Sequence, residues 1–390
     1  MFPPLNGTKR LHEKLQSAWA KKYQNFQIYE TYSRIFIFAE EYGKKTGKRT
    51  FRLLKLERDA QLTSLKDIVT EDYHSYTQPE LNNIVETVGA ASKEEGGILN
   101  VTVASIILGF VRFLQGYYLV LGTQKNLEGC IASHAVYSLE NFTLLQIWKE
   151  KKPPAEKTFF GRLQQTVSSI RVTQTPLEVA EGKYRSCFTS IDFSKNFYFS
   201  YTYDLTQSIQ GNFVKSGLSG RPSPDEFYVW NHFLTAEFSE VCSDHGWTAP
   251  LIYGSFDQQP SLLFGREFRL TLIGRRSRHF AGTRYLKRGC NDRGKVANEV
   301  DVEQILEDIS EGRISSHVQN RGSIPVFWTQ KTSATDPKPA IILPQSKGLG
   351  DWPLPLDTCF NATKLHFEDM IARYSSPVTC CNLIRLKEKK

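Results

Sequence analysis

The sequence predicts a strand-rich fold of mixed α+β class that is divided into two domains. The chain has 390 residues, which exceeds what one hydrophobic core usually serves. Hydrophobic residues make up 40% of it, so there is enough apolar material to form packed cores. The 25 phenylalanines and 17 tyrosines favour strands, because aromatic side chains suit the half-buried surface of a pleated sheet.

Three strands are predicted at the start of the first domain. Phe26–Tyr32, Arg34–Phe38 and Phe51–Leu56 are short segments of the aromatic and β-branched kind that forms strands. The polar, glycine-containing segment 41–50 lies before the third of them and predicts a hairpin loop. Its Gly-x-x-x-Gly-Lys spacing is one residue short of a phosphate-binding loop, so we interpret it as a solvated turn.

A helix and two core strands are predicted next. Thr77 is suited to be the N-cap of a helix, with Pro79 in the first turn. The apolar run from 103 to 121 carries Arg112 near its middle, which argues against a membrane span. We interpret this run as strands joined tightly at Gly116.

The domain boundary is predicted in a stretch rich in glycine, serine and proline, residues 211–224, which follows an aromatic strand predicted over Asn196–Tyr203. Before them, segment 148–183 is interpreted as a partly helical insertion. The predicted organisation is an N-terminal extension (1–24), a first domain (25–206), a linker (207–226) and a second domain (227–390).

The second domain is predicted to alternate strands and loops before a helix. Phe268–Ile273 is a strand, and in Glu299–Glu303 two valines would face one side and three carboxylates the other. Pro325 makes segment 322–328 an edge strand or a loop. Ala362–Arg373 has the pattern of an amphipathic helix, and Val378–Ile384 that of a last strand.

In that predicted helix, Leu365 and Met370 are expected on the inner face. His366 is expected on the polar side or at its boundary, and no function is assigned to it. Trp328 could stack on a ligand, but aromatic side chains of this kind are more often part of the core or its edge, and that interpretation is favoured.

Positive charge is concentrated in one window. It holds eight basic residues and one acid, so its charge of 8 − 1 = +7 nearly equals the +8 of the whole chain. The basic residues are Arg275, Arg276, Arg278, Arg284, Lys287, Arg288, Arg293 and Lys295. Guanidinium groups bind phosphate oxygens bidentately, which favours a phosphorylated headgroup at a membrane surface.

A structural interpretation of the same window is equally open. Glu299, Asp301 and Glu303 follow directly and could neutralise Arg284 or Arg288 in salt bridges. Nucleic-acid binding ranks below both, because no module typical of it is present.

The seven cysteines, an odd number, have no Cys-x-x-Cys pair and no zinc-ligand spacing, which indicates reduced thiols. No apolar segment resembling a secretory signal stands at the N-terminus, and no transmembrane helix is expected.

Five blocks of sequence, in the same order, resemble the Sac-domain phosphoinositide phosphatase family. They are Phe197–Thr206, Tyr228–Asn231, Arg275–Asn291, Val296–Ile305 and Val318–Gln330. Three further segments resemble the endosomal and vacuolar phosphatidylinositol 3,5-bisphosphate 5-phosphatases within that family: Phe110–Leu121, Lys338-Pro339 and Leu365–Phe367.

The resemblance implies a strand-rich N-terminal Sac domain followed by an incomplete α/β catalytic domain. It implies a headgroup or phosphate site formed by Arg284, Lys287, Arg288, Asn298 and Arg321, with Glu299 and Glu303 as orienting or salt-bridge residues. The implied partners are a phosphoinositide headgroup and a complex of the lipid 5-kinase with its scaffold protein, but no nucleic acid. The implied location is peripheral, on the cytosolic face of endosomal or vacuolar membranes.

The catalytic loop of this family has the pattern Cys-x5-Arg, in which a thiolate attacks phosphorus and the arginine and loop amides hold the oxygens. No cysteine of this chain is followed by arginine six residues later; Cys380 and Arg385 are one residue too close. We therefore expect an inactive part of a longer enzyme whose cysteine mechanism requires no cofactor, with Mg²⁺ dependence open. Two alternatives remain: a non-catalytic short form that binds phosphoinositides or the complex, and an unrelated basic membrane or nucleic-acid binder.

Overall fold

The computed structural model describes residues 22–41, 49–59, 61, 63–149, 175–216, 223–283, 286–330, 341–344 and 357–381. Their strands are β1 (Tyr23–Glu30), β2 (Arg34–Glu41), β3 (Thr50–Glu57), β4 (Val69–Thr77), β5 (Asn100–Ala104), β6 (Ile106–Arg112), β7 (Tyr117–Ile131), β8 (His134–Gln146), β9 (Phe197–Phe199), β10 (Ile252–Leu263), β11 (Arg266–Arg276), β12 (Val300–Asp308), β13 (Arg313–Arg321), β14 (Thr329–Gln330) and β15 (Ile341–Ile342). The α-helices are α1 (Leu65–Ile68), α2 (Gln78–Ala91), α3 (Pro176–Thr189), α4 (Ile209–Ser216), α5 (His232–Val241) and α6 (Asn361–Tyr374). The predicted strand-rich α+β class is confirmed.

An antiparallel five-stranded sheet has the order β4-β3-β2-β1-β5. Strands β1, β2 and β3 of this sheet are those predicted from the aromatic and β-branched segments. Alternate side chains such as Ile28, Ile35 and Leu54 are fully buried, and they share one core with Leu119 of β7 and Phe238 of α5. The aromatic and β-branched segments therefore predicted the strands, and the structure shows which of their faces packs.

Helix α2 begins where predicted. The backbone N–H of Thr77 donates to Glu80 Oε2 at 2.7 Å, which is half of a capping box, and Pro79 lies in the first turn. The polar loop predicted over 41–50 falls mostly on residues 42–48, which lie outside the described residues.

An eight-stranded sheet has the order β13-β12-β11-β10-β9-β8-β7-β6. The apolar run of the sequence forms β6 and β7, an antiparallel pair whose connection is closed by a hydrogen bond from Phe113 N–H to the Gly116 carbonyl at 3.0 Å. A Cβ at Gly116 would lie 2.3 Å from the Trp148 ring, so no larger residue fits there without displacement. In the described ranges, no helix has the length and apolar character needed to span a membrane.

Three predicted segments differ from the structure. The strand predicted over 196–203 pairs only at Phe197–Phe199, and the chain turns further on at Asp204, whose Oδ1 accepts from Thr206 N–H at 2.9 Å. The predicted linker contains helix α4. The last predicted strand is wrong over residues 378–381, which are irregular, and its remainder lies outside the described residues. Segment 322–328 is a loop, one of its two predicted forms.

The chain divides into two compact units. The first unit comprises residues 1–275 and 303–318, and the second comprises residues 276–302 and 319–390. The predicted boundary at 207–226 stays a prediction.

A pair of glycine substitutions tests the packing of the first unit. Gly116→Ala should lower the free energy of unfolding by roughly 1–3 kcal/mol, because the new methyl group would overlap the Trp148 ring. Gly182→Ala, in the exposed part of α3 with nothing within 4 Å of the new Cβ, should raise it by about 0.5–1 kcal/mol. Urea unfolding of both chains measures the two changes, and a neutral Gly116→Ala would contradict the packing argument.

Candidate functional site

The second unit contains most of the residues predicted to form the site. Lys287, Arg288, Asn298, Glu299 and Arg321 all belong to it. Glu303 belongs to the first unit, and Arg284 lies outside the described residues.

Asn298 organises the loop that carries the basic residues. Its Oδ1 accepts from the Gly282 N–H at 3.1 Å and from the guanidinium of Arg276, which also donates to the Gly282 carbonyl at 2.8 Å. Its backbone has a φ of +55°, in the left-handed region that asparagine tolerates better than most residues. The amide oxygen of Asn298 is thereby used to close the loop.

A second turn requires glycine. Gly289 has a φ of +67°, and a Cβ there would lie 2.5 Å from the Val326 carbonyl oxygen and 2.8 Å from Trp328 N. The next residue, Cys290, donates its N–H to the same Val326 carbonyl at 3.1 Å. The backbone of 289–290 is therefore held directly against segment 322–328.

Arg288 and Lys287 of this unit make different contacts. Arg288 donates from Nε to Gln330 Oε1 at 2.8 Å, and its guanidinium carbon lies 5.4 Å from the centre of the Trp328 ring. Lys287 is exposed, with Nζ 4.8 Å from the Phe280 ring centre. Trp328 thus packs against the guanidinium of Arg288. This contact is more specific than the general core or boundary packing that the sequence favours for it.

Other members of the basic window have internal partners. Arg276 closes the Asn298 loop, and Lys295 Nζ lies 3.1 Å from Asp369 Oδ2. Arg293 and Arg321 are exposed. The window is therefore partly structural and partly available to an anion.

The carboxylates after the window face inward. Glu299, 1% exposed, accepts at Oε1 from Arg373 at 2.9 Å and from Asn320 at 3.2 Å, and Asp301 accepts from the Tyr374 hydroxyl at 3.0 Å. The alternation predicted for this strand is present, and its buried face is the acidic one. Glu299 binds Arg373 of α6, and the order of charges along the sequence does not indicate this partner.

Glu303 makes the corresponding contact inside the first unit. Its Oε2 accepts from the Arg275 guanidinium, with Nη1 at 2.9 Å, and its Oε1 accepts from Ile209 N–H at 2.8 Å. Both side chains are fully buried, with exposures of 0% and 1%. Arg275 therefore belongs to the interior and is withdrawn from any surface that binds an anion.

His366 is buried, contrary to its predicted polar position, and Leu365 is 43% exposed, contrary to its predicted inner position. The reason is Gly294, which packs so closely on α6 that a Cβ there would lie 2.7 Å from His366 N. Burial lowers the pKa of His366; Arg373 acts in the same direction, whereas Glu299 opposes it. The periodicity of a helix alone cannot show which of its faces will be covered by a turn from elsewhere in the chain, here the turn at Gly294.

The buried thiols are not activated for attack. Burial raises the pKa of Cys290 to about 11 and that of Cys242 to about 12, with nearby carboxylates adding to both increases. A nucleophilic cysteine requires the opposite shift. Within the described ranges, no three histidine, cysteine or carboxylate side chains are grouped so that they could hold a metal ion.

The sequence profile of the SacI homology domain matches residues 105–390. Phosphatidylinositol-3-phosphatase SAC1 of Arabidopsis thaliana is 37% identical over 371 residues, which are 94% of this chain and 37% of that protein. Phosphoinositide phosphatase SAC2 of the same plant is 36% identical, covering 94% and 41%. The polyphosphoinositide phosphatase of Schizosaccharomyces pombe is 31% identical, covering 93% and 40%. The chain spans about two fifths of the length of these relatives.

Removing one member of the buried ion pair should be strongly destabilising. Arg275→Met leaves the Glu303 carboxylate buried without its guanidinium, so the free energy of unfolding should fall by roughly 3–5 kcal/mol. The exposed substitution Arg293→Met should change it by less than about 0.5 kcal/mol. Urea unfolding measures both, and similar values for the two chains would refute the structural role.

The buried histidine should make stability depend on pH. Because its folded pKa is lowered below 6.5, the unfolded chain binds a proton more readily, so stability is lost as pH falls through 6.5. His366→Gln should remove this component, which has a slope of at most about 1.4 kcal/mol per pH unit. The measurement is urea unfolding across this range, with His317→Gln, an exposed site, as the control. Equal slopes in the two variants would contradict the assignment.

Proposed function

The chain belongs to the SacI homology domain family of phosphoinositide phosphatases, and from that premise we propose that the complete protein removes the 5-phosphate from phosphatidylinositol 3,5-bisphosphate. The proposed nucleophile is a cysteine thiolate in a Cys-x5-Arg loop outside these 390 residues. In this proposal the second unit contributes headgroup-binding groups.

The cysteines of this chain support an external nucleophile. None has arginine in the sixth position after it, and burial raises the pKa of both Cys290 and Cys242. A buried thiol whose pKa is raised is poorly suited to attack a phosphorus atom at a membrane surface.

The observation that carries the binding role is the orientation of the half-buried Arg288. Arg288 is oriented by Gln330 and Trp328, and the loop before it is closed by Asn298. A preoriented guanidinium loses little conformational freedom when it binds a phosphate bidentately. Lys287, Arg321 and the neighbouring Arg284 add positive charge to the proposed site.

The position of the cleaved phosphate is the finer part of the proposal. Three sequence segments resemble the 5-phosphatases, whereas the name of the Arabidopsis relative SAC1 specifies a 3-phosphatase. An assay of the complete protein on phosphatidylinositol 3,5-bisphosphate decides which phosphate is removed, because the 3-phosphatase and 5-phosphatase activities leave different monophosphates. The same assay with a chelator tests whether Mg²⁺ is needed, which the proposed thiolate mechanism does not require.

The proposed location is the cytosolic face of endosomal or vacuolar membranes, with peripheral attachment. The proposed assembly is the complex of the lipid 5-kinase and its scaffold protein. Coprecipitation of the tagged complete protein with these two partners, compared between membrane fractions, tests both statements.

A second candidate is a non-catalytic form that binds phosphoinositides or this complex. It is favoured by the lack of a Cys-x5-Arg sequence in the chain. Sequencing the transcript past codon 390 separates the candidates, since an open frame reaching such a loop supports the enzyme and a stop codon supports the binding form.

Lys287→Ala and Arg321→Ala should each weaken binding of soluble phosphatidylinositol 3,5-bisphosphate about tenfold, because each removes a charge-assisted contact worth roughly 1.5 kcal/mol. Arg313→Ala, an exposed cation of the first unit paired with Glu311, is the matched control and should leave the affinity unchanged. Isothermal titration measures the dissociation constants. Equal affinities for all four chains would remove these residues from the site.

This chain should also show no phosphatase activity. Hydrolysis by the purified chain that is abolished by replacing one of its own cysteines with serine would place the nucleophile inside it and overturn this part of the proposal.

A further inference from the structure

The turn between β10 and β11 exposes consecutive apolar side chains. Leu262, Leu263 and Phe264 are 70%, 51% and 102% exposed. Phe264 and Gly265 have φ angles of +52° and +73°, the signature of a two-residue type I′ turn. Asparagine or glycine normally occupies the first position of that turn, so a phenylalanine there is explained poorly by the backbone and better by a use for its side chain.

The neighbouring turn between β12 and β13 ends at the same level and adds a fourth apolar residue. Ile309 is 47% exposed, and its N–H donates to the Glu267 carbonyl at 2.9 Å. The Glu267 N–H in turn donates to Ser310 Oγ at 3.2 Å. Leu262, Leu263, Phe264 and Ile309 are therefore exposed apolar residues of two hydrogen-bonded turns of the first unit, called here the apolar tip.

The arginines beneath the apolar tip are paired with carboxylates. Arg266 pairs with Asp308 and with Glu311, the latter at 2.7 Å, and Arg313 pairs with Glu311 at 2.9 Å. Arg269 pairs with Glu307, and Glu267 is an additional exposed carboxylate. Three arginines and four carboxylates give a charge of 3 − 4 = −1, which would not draw the tip to an anionic ligand.

The backbone of the hairpin suits the interfacial region of a bilayer. Residues 254–263 pair one for one with 266–275, and the pair Leu263–Arg266 closes the ladder directly behind the turn. The ladder satisfies the amide and carbonyl groups that the two strands turn toward each other, and groups on the outer edge can stay hydrated at the depth of the lipid headgroups.

We propose that the apolar tip inserts into the interfacial region of a phospholipid bilayer and so holds the first unit at the membrane. This rests on the proposed function in one respect: an enzyme that acts on a phosphoinositide must meet its substrate at a bilayer. A turn with a fully exposed phenylalanine fits a deformable lipid surface, whereas a second copy of the chain or another protein would have to supply a matching pocket. Because the charges beneath have no net positive sum, insertion should not require anionic lipid.

Flotation of the full chain with vesicles of phosphatidylcholine alone tests this proposal independently of headgroup binding. The double substitution Leu262→Ser/Phe264→Ser should reduce partitioning at least about tenfold, since it removes two side chains whose burial drives insertion. Phe233→Ser, at an 82% exposed phenylalanine of α5, is the matched control and should bind as the unaltered chain does. Urea unfolding of the variants confirms that both remain folded.

Insertion itself is measured with Phe264→Trp and the control Phe233→Trp on vesicles of brominated phosphatidylcholine. Bromine should quench the fluorescence added by the tryptophan at 264 and leave that at 233 unchanged. Equal quenching at the two sites would overturn the proposal, as would self-association of the chain that the double substitution abolishes while vesicle binding is unaffected. Loss of insertion with headgroup affinity retained would refute the apolar tip alone, and insertion retained with equal headgroup affinities for the unaltered chain and Lys287→Ala would refute only the headgroup site.

Discussion

A buried ion pair determines how the basic segment of this protein can be used. The first unit consists of two stretches of chain. Arg275 is the last residue of the first stretch and Glu303 is the first residue of the second, and both side chains are fully buried. A buried carboxylate and guanidinium are tolerable only when each satisfies the other, so the chain must leave and re-enter this unit with the two side chains facing. Glu303 also accepts from the first amide of helix α4, which fixes a third segment at the same point.

This constraint separates residues that look equivalent in the sequence. Arg275 and Arg276 are adjacent, yet the first neutralises Glu303 and the second closes a loop on Asn298. Net charge in a window is therefore a poor measure of the charge that an anion meets. The exposed cations of the second unit, among them Lys287 and Arg321, are the ones that remain to attract a phosphate.

Local patterns predicted much of the fold because the responsible forces act locally. Aromatic and β-branched segments predicted β1 to β3, and the sequence Thr-x-Pro-Glu predicted the start of α2, since a capping box involves residues only three apart. The positions of Glu299 and His366 could not be predicted this way. Both are buried by elements distant in sequence, Glu299 by Arg373 and His366 by the turn at Gly294, so their burial follows from tertiary packing.

The same distinction between local pattern and tertiary packing applies to Cys290, which lies in the family-like segment Arg275–Asn291. Cys290 packs with Val296, Ala362 and Phe327 in a small cluster of the second unit, and this burial raises the pKa of its thiol. A residue can serve either as a packed core side chain or as a thiolate nucleophile, because the low polarity that favours the first disfavours the charge needed for the second. Cys290 is packed as a core side chain, so its place in Arg275–Asn291, a segment that resembles the family, does not make it a candidate nucleophile, in agreement with the proposal that the catalytic thiolate is a different cysteine.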